Sequence, residues 1–109
     1  MSDRISTLRQ YLKDDPNDPF LRYALALEIR AAGQNETAFE ELMWLIENQP
    51  DYLPSYYMAG QVAEQINKIP EAVLCYQKGI ELAKAQNQCN TLGELKTALS
   101  LIWDEDEVE

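Results

Sequence analysis

Histidine is absent from this chain of 109 residues, and glycine, cysteine and basic residues are few. Each shortage removes a class of function. Without histidine the usual base for a serine or cysteine nucleophile is missing, which excludes acyl transfer of the common kinds. The four glycines, Gly33, Gly60, Gly79 and Gly93, are widely separated, whereas a phosphate-cradling loop needs several in a short span that opens a helix. Cys75 and Cys89 are neither CxxC-spaced nor accompanied by histidine, so a metal site would need unusual ligands. A reducing cytoplasm would keep both as thiols.

Long apolar runs are also missing. The longest are about five residues, as from Tyr23 to Leu27, against the roughly 20 that a membrane-spanning helix requires. The opening Met1-Ser2-Asp3-Arg4 is polar and has no apolar segment behind it, so no export signal is expected and the expected location is cytoplasmic. Nine basic residues face nineteen acidic ones, for a formal net charge of -10, and the cations are dispersed. Phosphate backbones and anionic lipid surfaces are repelled by such a chain, so neither nucleic acid nor membrane is expected as a partner. Adjacent carboxylates such as Glu40 and Glu41 point in different directions on a helix and read as a solvated face. The expectation is a protein that is not an enzyme and that needs no cofactor and no metal.

What the sequence does contain is a repeat, and its period is 34 residues. Shifted by that amount, Ile5, Leu8, Leu12 and Pro16 fall on Phe39, Leu42, Ile46 and Pro50, and the first three fall again on Val73, Tyr76 and Ile80. Tyr23 falls on Tyr57, Leu25 on Ala59, Ala26 on Gly60, Ile29 on Ala63 and Ala38 on Ala72. Apolar spacing within each segment follows the three-or-four step of a helix face. Punctuation agrees: Asp18 can cap ahead of Pro19, Pro54 and Pro70 suit first turns, and Thr91-Leu92-Gly93-Glu94 has capping-box form. Gly33-Gln34-Asn35 and Asn67-Lys68-Ile69 read as tight turns between helices. The reading predicts helices over 2–14, 19–32, 36–48, 54–66, 70–87 and 91–103. The acidic stretch 104–109 has almost nothing to bury and is expected to be a disordered tail.

Tyr56, Ala59, Gly60 and Ala63 stand at the positions of a W-x2-L-G-x2-Y block, and Ala72 with Tyr76 at those of A-x3-F, and on this basis the sequence resembles the tetratricopeptide repeat family. Residues 53–86 resemble the cleaner unit, with Lys84 in place of the closing proline. Residues 19–52 resemble another, through Leu25, Ala26, Ile29, Ala38, Leu42 and Pro50, although Arg22 stands where a large aromatic is usual and Leu45 where a small residue is usual. Residues 2–16 resemble the second half of a unit, and 91–103 a terminal solvating helix. The resemblance implies an all-α fold: one TPR-like domain over 1–103, a short right-handed superhelix of antiparallel helix pairs with about six helices. Ala26, Ala38, Gly60, Ala72 and Gly79 would then mark close helix crossings.

The resemblance also implies a function, a protein-interaction adaptor or scaffold that takes a peptide or helix of another protein on the concave face lined by the first helix of each unit. The corresponding residues are Phe20, Tyr23, Leu27 and Arg30, then Tyr57, Met58, Gln61 and Gln65, with Leu92 and Leu95 from the terminal helix. Aromatics and methionine beside amides suit a partner segment with apolar or aromatic anchors. Family members that bind chaperone tails use a clamp of cationic and amide side chains around a carboxylate. The matching positions here carry Tyr23, Leu27, Met58, Gln88 and Leu92, which cannot supply it. The alternative is a structural, self-associating subunit such as a homodimer, with the same face occupied by a second copy.

Overall fold

The computed structural model describes residues 3–103. Six helices account for nearly all of them: α1 (Asp3–Asp14), α2 (Pro19–Ala31), α3 (Asn35–Asn48), α4 (Pro54–Gln65), α5 (Ile69–Ala85) and α6 (Cys89–Ile102), with no strand among the described residues. The expected acidic tail at 104–109 lies outside them. The chain is organised as two compact units, residues 1–55 and 56–109.

In the first unit the core is built from Leu8 and Leu12 of α1, Leu25 and Ile29 of α2 and Ala38 of α3, with Ile5, Leu21 and Ala24 packed against it. These are the apolar stripes that the helical spacing sets out, buried because one face of each helix must be covered. The Asp18 side chain caps α2, accepting from Phe20 N at 2.9 Å and Leu21 N at 3.4 Å, ahead of Pro19. Proline suits that first turn because its missing N–H would have had no partner there. The Gln49 amide donates to the Asn17 carbonyl at 2.9 Å and ties together the two proline-containing linkers that follow α1 and α3.

The second unit packs three helices around small residues. Tyr76 is fully buried, and a Cβ placed on Gly60 would overlap its ring. A Cβ placed on Gly79 would come within 2.7 Å of Tyr56 Cβ and 3.1 Å of a Leu95 methyl. The two glycines therefore set how closely α5 approaches α4 and α6. Ala26, Ala38 and Ala72 are likewise fully buried.

Three turns share one geometry. Gly33 (φ 85), Asn67 (φ 62) and Asn87 (φ 58) adopt left-handed backbone just past the ends of α2, α4 and α5. At each end two backbone bonds reverse the chain: Gln34 N to Ile29 O with Gly33 N to Arg30 O, Lys68 N to Ala63 O with Asn67 N to Glu64 O, and Gln88 N to Ala83 O with Asn87 N to Lys84 O. This is the Schellman closure, which satisfies carbonyls that a helix end otherwise leaves open.

The terminal hairpin departs from the boundaries expected of it. With Lys84 where a proline would close the helix, α5 runs to Ala85, and the Asn87 turn then starts α6 at Cys89 rather than at Thr91. Thr91 is thus inside the first turn and does not cap; the N-cap residue Gln88 makes no side-chain capping bond.

Candidate functional site

The second unit carries an open groove of about 670 Å³ between α4 and α6. Helix α4 contributes Tyr57, Gln61 and Glu64, and α6 contributes Asn90, Glu94, Thr97 and Leu101, with Cys89, Gly93 and Ala98 of the same helix alongside them. Both sets step by four and three residues, so each is a single stripe on one helix face. Gly93 has nothing within 4 Å of where its Cβ would stand, and its lack of a side chain keeps the middle of the groove open. Leu101 is 79% exposed.

The α4 wall is held by hydrogen bonds to a buried ring. Gln61 Nε2 donates to the Tyr76 hydroxyl oxygen at 2.7 Å, and that hydroxyl donates to Glu64 Oε2 at 2.6 Å. The Tyr57 ring stands tilted against Tyr76, with centroids 6.2 Å apart. Burial, followed by the hydrogen bond to Glu64, pushes the Tyr76 hydroxyl well above its ordinary pKa, so it stays a donor at neutral pH.

Of the ten residues expected to contact a partner, Tyr57 and Gln61 are brought together in this groove. Met58 is half-buried and Gln65 exposed on α4, and Leu92 is half-buried on α6, all outside the lining. Leu95 requires a correction: it is fully buried, its methyl groups filling the space above Gly79. An apolar side chain beside a glycine gains more from burial than from a groove wall. Helix α6 therefore presents its groove stripe at a different angle from the one expected.

The remaining candidates lie on α2 in the first unit. Phe20 is 62% exposed, whereas Leu27 and Arg30 are half-buried. Tyr23 is half-buried with its ring edge-on to Tyr52, centroids 5.8 Å apart, and burial followed by the neighbouring Tyr52 raises its hydroxyl pKa. Arg22, which departs from the aromatic of the repeat pattern, makes a specific contact there. Its guanidinium lies 3.9 Å from the centroid of the Trp44 ring and pairs with Glu41 at 2.9 Å, so a stacked cation occupies the site where an aromatic is usual.

Sequence reasoning missed Glu64 and the whole α6 stripe. Asn90, Glu94 and Thr97 carry no signal beyond polarity, and polar stripes at helical spacing are the ordinary solvated face. Among the described residues no group of three His, Cys, Asp or Glu side chains could hold a metal ion, and no helix is long and apolar enough to cross a membrane.

Helix pairs reversed by equivalent turns 34 residues apart, at Gly33 and Asn67, define a helical-repeat protein. The pattern of the tetratricopeptide repeat family matches residues 1–73, and the chain belongs to that family. It is similar to a tetratricopeptide repeat domain protein from Salinibacter ruber solved by NMR, with 32% identity and a TM-score of 0.78 over 86% of this chain and 95% of that one. A crystal structure of a tetratricopeptide repeat domain protein from the same organism is similar at 32% identity and a TM-score of 0.75, over 85% of this chain and 100% of that one. No curated protein matches the sequence.

Proposed function

We propose that the chain is a protein-interaction module whose α4–α6 groove takes a segment of a partner protein. The observation that carries this reading is the open groove with Tyr57 and the exposed Leu101 on its walls. A partner gains by covering such apolar surface, while Gln61, Asn90 and Thr97 offer hydrogen bonds that fix an extended or helical segment in register. Membership of a family of repeat modules supports the same class of function, and within this proposal the expected division into repeat units 19–52 and 53–86 is kept. The half-buried α2 residues Tyr23, Leu27 and Arg30 belong to the proposal as a second contact strip on the first unit.

Capture from a cell lysate tests it, with the wild-type chain compared with a Tyr57→Ala, Leu101→Ala variant whose helix content is verified by circular dichroism. A protein held by the wild type and lost by the variant supports the reading. Equal capture by both refutes it, and capture only of further copies of the chain moves the face to self-association.

A further inference from the structure

Among the described residues no cation forms an ion pair with the carboxylates of this groove. In the first unit the partly buried glutamates are each matched by an arginine: Glu28 by Arg4 and Glu41 by Arg22, both at 2.9 Å. In the second, Glu64 and Glu94 line the groove and neither forms an ion pair among the described residues. Helix α4 contains no basic residue, and the one on α6, Lys96, is outside the lining. Glu64 is also held in place, since it accepts from the buried Tyr76 hydroxyl at 2.6 Å while that hydroxyl accepts from Gln61. A carboxylate already fixed by a buried donor loses little freedom when a cation pairs with it, and pairs best in a groove that excludes part of the water.

We infer that the groove takes a partner segment bearing lysine or arginine, its cation against Glu64 and Glu94 and its apolar stem on Tyr57 and Leu101. The inference rests on the groove being the binding surface and adds the chemistry of its occupant. A cationic side chain fits both halves of the lining, because its methylenes cover apolar surface while its head reaches the carboxylates, and the Tyr57 ring adds a cation–π face. The stretch 104–109, with five side-chain carboxylates in six residues, contains no lysine or arginine that could supply such a cation.

Cys89 lines the groove and is exposed, whereas Cys75 is buried, so alkylation of Cys89 reads occupancy. A pool of short capped peptides, randomised but free of cysteine, is equilibrated with the full chain at about 0.15 M salt, where diffuse attraction to its net charge is screened. Retained peptides are sequenced by mass spectrometry and tested singly for protection of Cys89. The expected result is enrichment of lysine and arginine with Cys89 alkylation slowed roughly tenfold at saturation. A Glu64→Gln, Glu94→Gln variant should bind those peptides about tenfold more weakly, with unchanged circular dichroism. Glutamine at 64 can still accept from Tyr76, and Glu94→Gln alone, at an exposed position, should show part of the same loss. Retained peptides that lack cations yet protect Cys89 would overturn the inference and leave the groove standing as the binding surface. Cationic peptides that bind the variant equally and leave Cys89 alkylated at its free rate would overturn both.

Discussion

The ring of Tyr76 occupies the space that a side chain at position 60 would need, and Gly60 is the residue that lets it do so. The aromatic of α5 reaches across α4 far enough for its hydroxyl to join Gln61 and Glu64. One missing Cβ therefore serves both the core of the second unit and the shape of its groove wall.

Substitution of Gly60 by alanine should accordingly be costly, because the obstructing atoms are a buried ring and not the end of a flexible chain. We expect a loss on the order of 1–3 kcal/mol in urea unfolding. Gly79→Ala should fall in the same range, since its new methyl would meet Tyr56 Cβ. Tyr76→Phe keeps the ring and removes only the hydroxyl, at about 0.5–1.5 kcal/mol. A Gly60→Ala protein as stable as wild type would show that α4 and α5 can separate at no cost.

The three left-handed turns should respond to substitution in opposite senses. Asn67 and Asn87 carry a side chain where glycine is favoured, so Asn67→Gly and Asn87→Gly should preserve or slightly raise stability, while alanine at either position should cost about 1 kcal/mol. Gly33→Ala, at φ 85, should cost on the order of 1–2 kcal/mol although nothing lies within 4 Å of the new methyl. Thermal melting of the set checks the prediction; equal midpoints for alanine and glycine at position 67 would refute it.

How far the sequence reveals this fold can be judged at those same turns. Gly33 and Asn67 are related by the repeat and are recognisable as turns from it, whereas Asn87 is not, because the replacement of the closing proline by Lys84 breaks the register before the last hairpin. The capping-box pattern at Thr91 then misleads, since the backbone closure at Asn87 has already started the helix at Cys89. Leu92, Leu95 and Leu99 fit one apolar helix face, but spacing alone does not say which of them a neighbour covers. That is decided by the open space over Gly79, a property of α5. Tyr57 and Gln61, which the repeat relates to Tyr23 and Leu27 of the preceding unit, both line the groove, while Glu94 and Thr97 have no such counterpart among the candidates. Arg22 shows the converse: its departure from the aromatic pattern was visible, but its compensation by Trp44 and Glu41 depends on α3 packing alongside.

The two thiols should behave differently. Burial raises the Cys75 thiol from 9.0 to about 11, and its side chain is nearly inaccessible, so at pH 8 only Cys89 should react with a thiol reagent until the protein is unfolded. The same shift has a consequence for stability. Cys75 keeps its proton in the folded state above the pH at which the unfolded chain releases it, so its contribution is complete below pH 9.0 and is lost as pH rises towards about 11. The decline should be about 2–3 kcal/mol. Tyr76, also raised, extends it to higher pH. In Cys75→Ala the onset should move upward towards the ordinary tyrosine range; an unchanged alkaline profile would show that the buried thiol is not responsible.

Gly93 poses a test in which stability and binding should separate. It lies within α6, its backbone is not left-handed, and a Cβ there would meet nothing within 4 Å. Glycine inside a helix costs roughly 0.5–1 kcal/mol relative to alanine through the freedom it retains when unfolded, so Gly93→Ala should be more stable than wild type by about that amount. Gly60→Ala, the same change one packed surface away, should be less stable. If the groove is a binding surface, Gly93→Ala narrows it slightly, and Gly93→Trp fills it while leaving the core untouched. Peptides that protect Cys89 in the wild type should therefore bind Gly93→Ala with little loss and fail to bind Gly93→Trp, although both variants fold. A Gly93→Trp protein that still binds such peptides with wild-type affinity would place binding outside the groove, and a destabilised Gly93→Ala would mean that α6 needs a glycine there for a reason of backbone geometry.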